Sequence, residues 1–171
     1  AGKLLFFHVP YVLSKAILPM IIPLFVSYIS GSLSLACIVT ALFYAPMMFE
    51  SVFSTSSKPA RTLTLACGAA IILYLVLFFT TNVAIMFVLV LLLGIAYAAI
   101  SPLISGRFTQ LMGEKNVGEM SAVIYAARGL AAAIGSVIAG IIADAFGLRY
   151  VFVIGFVVFV FLFLSRRKIF V

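Results

Sequence analysis

Acidic residues are scarce in this chain: Glu50, Glu114, Glu119 and Asp144 are the only four among 171 residues. Charged residues of both signs make up 9% of the sequence, where a soluble domain carries about 25%. So few charges cannot cover a water-facing surface, which excludes a soluble globular protein. Tryptophan is absent, so any aromatic belt at a membrane interface must be built from Tyr and Phe. The lone histidine, His8, and two cysteines, Cys37 and Cys67, both in apolar runs, are too few for a metal cluster or a disulfide framework. The cysteines read as small core residues. No nucleophile stands near a base and no glycine-rich loop follows a strand pattern, so neither an enzyme nor a cofactor site is expected. What the chain has in quantity is apolar: 66% hydrophobic residues, 17 Phe, 7 Tyr and a mean hydropathy of +1.37. These values describe an all-α polytopic membrane protein.

Spanning helices need about 20 apolar residues each. Breaks in the apolar pattern leave six such stretches, near 6–29, 33–53, 63–80, 83–106, 119–143 and 148–165. The breaks are Ser30-Gly31-Ser32, SSKPAR at 56–61, TTN at 80–82, GRFTQLMGEKNVGE at 106–119 and DAFGLR at 144–149. Gly, Pro, Ser and Asn are the expected punctuation. The whole chain, 1–171, reads as one six-helix transmembrane domain. Its opening, Ala1-Gly2-Lys3, lacks Met and has no cleavage site behind a short apolar region. It is read as part of something longer rather than as a signal peptide.

A net charge of +7 would point to nucleic acid in a soluble protein. Here position matters more, because Lys and Arg near the spans set orientation. With the C-terminus inside, Lys3, Lys58, Arg61, Arg107, Lys115, Arg166, Arg167 and Lys168 all fall on the cytoplasmic side, and Arg149 alone falls outside. Lys15 and Arg128 lie within spans. Both termini are therefore expected in the cytoplasm of a cell's inner or plasma membrane. Three spans precede residue 81 and three follow it, so the second set is inverted relative to the first, as in many secondary transporters.

The run LLLGIAYAAISPLISGRF, a charged loop, and then GEMSAVIYAARGLAAAIGSVIAGIIADAFGLRYVF resemble the major facilitator superfamily. The family's antiporter motif is a glycine series ending in Gly-Pro-x-x-Gly-Gly. Here Gly135-Ser136-Val137-Ile138-Ala139-Gly140 keeps the small residues and lacks the proline, while Ala122 and Ala131 replace upstream glycines. Asp144-Ala-Phe-Gly147-Leu-Arg149 matches the usual exit turn. The loop SVFSTSSKPARTL stands where the family has Gly-x-x-x-Asp-Arg-x-Gly-Arg, keeping Lys58 and Arg61 without the Asp or either Gly. Such decay resembles the C-terminal half of these transporters. The resemblance implies one half of a secondary active transporter working by alternating access, by default a proton-coupled exporter, with a second six-helix half supplied by the same gene or a second copy.

Within that frame, Gly129, Gly135, Ser136 and Gly140 are expected to pack against the other half. Small residues four apart let helices approach closely, so tight packing inside one bundle is the alternative. The resemblance also implies that the first and fourth helices line a central cavity, with Lys15, Tyr11, Tyr97, Ser101 and Ser105 on its cytoplasmic side. Otherwise the serines bond their own helix and Lys15 snorkels. Arg128 lies nine residues past Glu119, roughly 13 Å along a helix, where a charge is costly. Three readings fit it: an ion pair with Glu50, a role in substrate or proton coupling, or a shallower, wet position. His8 is expected at the interface. Two cations against one acid favour an anionic or strongly polar substrate. A structural or lipid-facing module, or a half that works as a homodimer, are the competing readings.

Overall fold

In a computed structural model, the backbone is described for residues 2–54, 58–112 and 117–170, and side chains for 9–53, 58–106, 122, 125–127 and 129–165. The described residues form seven α-helices and no strand. They are α1 (Gly2–Ser30), α2 (Leu33–Tyr44), α3 (Glu50–Ser54), α4 (Pro59–Phe79), α5 (Val83–Met112), α6 (Val117–Phe146) and α7 (Val151–Phe170). Six stretches are long and apolar enough to cross a bilayer: Val9–Ser30, Leu33–Phe53, Pro59–Phe79, Val83–Gly106, Tyr125–Phe146 and Leu148–Ser165.

The helix ends follow local chemistry. Helix α1 stops at Gly31, whose φ of 67° suits glycine, and Ser32 caps α2 by accepting from the Leu35 N–H at 3.4 Å. Helix α4 begins at Pro59, four residues ahead of the 63 expected from the polar run, because proline is well suited to the first helical turn. Asn82 Oδ1 accepts from the N–H groups of Ala84 at 2.9 Å and Ile85 at 3.3 Å, which starts α5. Helix α6 runs on to Phe146 and is stopped by Gly147, with φ of 100°.

The second span is not one helix. Pro46 brings no backbone N–H, and the chain tightens into a 3-10 turn over Ala45–Phe49 before α3 resumes. Gly94 of α5 sits against this break. A methyl group there would run into the Phe43 carbonyl and lie 3.2 Å from Pro46 Cγ. By contrast, α1 is assigned unbroken across Pro10, Pro19 and Pro23.

Much of the packing follows an exchange pattern. Helix α1 packs on α6, and α5 packs on the second span. Helix α5 packs on α4, and α1 packs on α7. The pair α4–α7 maps onto itself. Swapping the first three spans for the last three reproduces these contacts, but not the extensive packing of α1 on α2, whose counterpart between α5 and α6 is slight. Helix α5 is the most enclosed, with residues 96–101 all buried. Cys67 is buried in the core, but Cys37 is exposed on α2 rather than a core residue; neither is in a disulfide.

Candidate functional site

Among the described residues, two polar features stand out in the membrane-spanning part of the bundle, one sealed and one open. The sealed one centres on Tyr97 of α5, which is 0% exposed. Its hydroxyl lies 2.7 Å from Ser14 Oγ of α1 and 2.8 Å from the Tyr74 hydroxyl of α4. Ser14 donates to the Tyr11 carbonyl at 3.0 Å, and the Tyr11 hydroxyl donates to the Tyr97 carbonyl at 3.3 Å. A hydroxyl has one proton to give. With Ser14 donating to Tyr11, Tyr97 donates to Ser14 and Tyr74 donates to Tyr97. The rings of Phe43, Phe159 and Tyr11 enclose Tyr97 at centroid distances of 5.5, 5.2 and 5.7 Å. One side chain thereby joins α1, α2, α4, α5 and α7.

This corrects the expected cavity lining. Tyr11, Tyr97 and Ser101 do share the polar side of their helices, but that side faces the bundle's own core, and all three are buried. Ser105 is half-buried. The inward turn is tolerated because each tyrosine hydroxyl finds a partner, as buried polar groups must in lipid. A void of about 10 Å³ beside Ser14, Tyr74 and Gly155 holds one water at most, so no substrate fits within the bundle here. Tyr97→Phe leaves the Ser14 and Tyr74 hydroxyls without their shared partner. The expected loss is about 1–3 kcal/mol, read as a lower melting temperature in detergent, with fold retained.

The open feature is an ion pair. Lys15 Nζ of α1 lies 3.4 Å from Glu50 Oε1, the first residue of α3, and their side chains are 31% and 32% exposed. Both lie within candidate spans, Lys15 in Val9–Ser30 and Glu50 in Leu33–Phe53. Charges within a span are held where they pair or meet water. The sequence offered Glu50 to Arg128 as one of three readings and gave Lys15 a place on the cavity wall rather than beside Glu50. Position 128 lies on α6, eleven residues after its start at Val117. The Arg128 side chain lies outside the described residues, as do those of His8, Lys3, Arg107, Lys115 and Arg166–Lys168.

The small residues of α6 divide between two faces. Ala131, Gly135 and Ala139 are buried, and a methyl group on Gly135 would stand 3.1 Å from Ile17 and 3.3 Å from Leu13 of α1. Gly135 therefore serves packing inside this bundle rather than against another half. Ser136 donates to the Ala132 carbonyl at 2.8 Å and lies 2.9 Å from Met20 Sδ. Gly129 and Gly140 have open space before them.

No curated protein and no solved structure matches the chain. A sequence profile described as Major Facilitator Superfamily matches residues 4–170. With six apolar spans and that match over nearly its full length, the chain belongs to the Major Facilitator Superfamily, a family of membrane transporters of small molecules.

Proposed function

We propose that this chain is the C-terminal six-helix half of a proton-coupled exporter that moves a small, strongly polar or amphipathic compound by alternating access. The observation supporting it is the Lys15–Glu50 pair, a titratable carboxylate and a cation held together inside two spans with a third of each side chain uncovered. Antiport requires proton and substrate to compete for one group. Glu50 is such a group: its carboxylate accepts either a proton or a donor on the substrate, and Lys15 changes partner accordingly. A second reading follows from Lys15. An anionic substrate that takes Lys15 while Glu50 is protonated travels with the proton, not against it. Both place the substrate outside the sealed bundle, between this half and another, from the same gene or a second copy. The open face around Gly129 and Gly140 suits that contact. The excess of basic residues on one side supports a cell-membrane protein with both ends facing the cytoplasm.

The test is proton movement in inverted vesicles carrying the whole transporter and a pH-sensitive dye. Adding a transported compound from a panel of amphipathic cations and anions collapses an imposed pH gradient under antiport and steepens it under symport. Glu50→Gln abolishes either response while leaving downhill exchange of labelled substrate. A Glu50→Gln variant whose proton flux matches the parent's excludes Glu50 as the coupling group.

A further inference from the structure

A different part of the molecule, at the end of the bundle opposite Lys58 and Arg61, carries a second assignment. There α1, α6 and α7 surround a cavity of about 360 Å³ whose wall includes Phe25, Tyr28, Phe146, Arg149 and Tyr150. A second cavity of about 460 Å³ runs between α6 and α7 past Ile142, Phe146, Tyr150, Val153 and Val157. Phe146 and Tyr150 line both, so the two adjoin. The first holds a guanidinium among aromatic rings; the wall of the second is apolar side chains and the tyrosine ring.

Gly147, in the left-handed region at φ 100°, turns the chain sharply after α6. The Arg149 guanidinium then lies over the Phe25 ring, 5.9 Å from its centroid. Among the described residues no carboxylate comes within ion-pair distance of Arg149, and Asp144 is exposed on α6. Arg149 is the second residue of the span Leu148–Ser165. A cation at that level stands at the edge of the hydrocarbon, where lipid phosphates lie. From Arg149 to Val157 is eight residues, about 12 Å of helix running into the bilayer. The outer walls are uncovered: Phe146 is 68% and Val157 57% exposed.

We propose that a membrane phospholipid with an anionic headgroup binds here, its phosphate against Arg149 and the upper part of an acyl chain in the α6–α7 groove. The juxtaposition selects this occupant. A cation without a carboxylate partner calls for an anion, and an apolar channel continuing from it into the membrane calls for a hydrocarbon tail on the same molecule. A soluble anion would leave the groove unused. An apolar partner helix would leave the arginine uncompensated.

The test is native mass spectrometry of the full chain in detergent, titrated with phosphatidylglycerol and phosphatidylcholine of identical acyl chains. Phosphatidylglycerol is expected to bind about five-fold more tightly, the scale of one basic residue at a membrane surface. Arg149→Gln brings it down to the phosphatidylcholine level, and Arg149→Lys keeps most of the preference. Val157→Trp, which fills the groove from an exposed position, weakens both lipids about five-fold or more. Millimolar inorganic phosphate leaves phosphatidylglycerol bound. Equal binding of the two lipids to the parent chain, an undiminished preference in Arg149→Gln, unchanged binding by Val157→Trp, or displacement by inorganic phosphate would each overturn the assignment.

Discussion

Lys15→Ala is expected to reduce transport by the whole protein in vesicles to the background of empty membranes, a loss of at least about 100-fold if the side chain orients substrate or carries coupling. Arg128→Ala is expected to do the same, and Lys58→Ala to leave the rate within about two-fold. Lys58 is exposed at the start of α4 and offers its carbonyl to the N–H groups of Arg61 and Thr62, bonds that alanine preserves. Lys15→Ala differs from it because it removes a charge that is paired with Glu50 within a span. Loss of Lys15 alone leaves the Glu50 carboxylate without its cation, and a lone charge inside a span is destabilising in its own right. A folding defect would therefore imitate a functional one. The double variant Lys15→Ala/Glu50→Gln separates them, because it removes both charges and should recover the parent's yield and monodispersity in detergent. Transport is expected to stay at background in that double variant. Recovery of transport along with yield would reduce the pair to a structural tie.

The six-span architecture was legible because each span is a long apolar run ended by Gly, Pro, Ser or Asn, and lipid forces such runs into helices. Ser30-Gly31-Ser32 and the turn at Gly147 punctuate the chain where the residues said they would. The break in the second span was not legible from hydropathy, which stays high across Tyr44–Phe49. The clue was Pro46 itself, although Pro10, Pro19 and Pro23 lie in a helix that continues without a break. The polar residues of α5 show a different limit. A spacing of four puts Tyr97, Ser101 and Ser105 on one side of the helix, but periodicity does not say whether that side meets a cavity or the core. Membrane interiors reverse the usual inference, since a hydroxyl is costly toward lipid and comfortable wherever another hydroxyl faces it. Ser14 and Tyr74 are those partners, and they sit on other helices, 83 and 23 residues away in sequence. For the same reason Lys15–Glu50 escaped the sequence: two charges from separate spans meet only once α1 and α3 are placed.

Gly155→Leu is expected to abolish recovery of folded protein, and Gly155→Ala to lower it sharply. Gly155 of α7 is buried where that helix crosses α4, and a methyl group on it would overlap the ring and hydroxyl of Tyr74. Overpacking a core typically costs about 1–3 kcal/mol when neighbours can shift. Tyr74 has little freedom to do so. Its hydroxyl is tied to Tyr97 at 2.8 Å and its ring lies against Phe159 at a centroid distance of 5.7 Å. Moving the ring would break the polar chain through Tyr97 and Ser14, so the alanine variant falls at or above the top of that range and leucine well beyond it. Size-exclusion profiles of detergent extracts measure the effect directly. The cause is checked by making room instead of adding bulk: Gly155→Ala combined with Tyr74→Leu should recover more monodisperse protein than Gly155→Ala alone. If the two substitutions instead add as independent losses, the Gly155–Tyr74 contact is not what fixes the α4–α7 crossing.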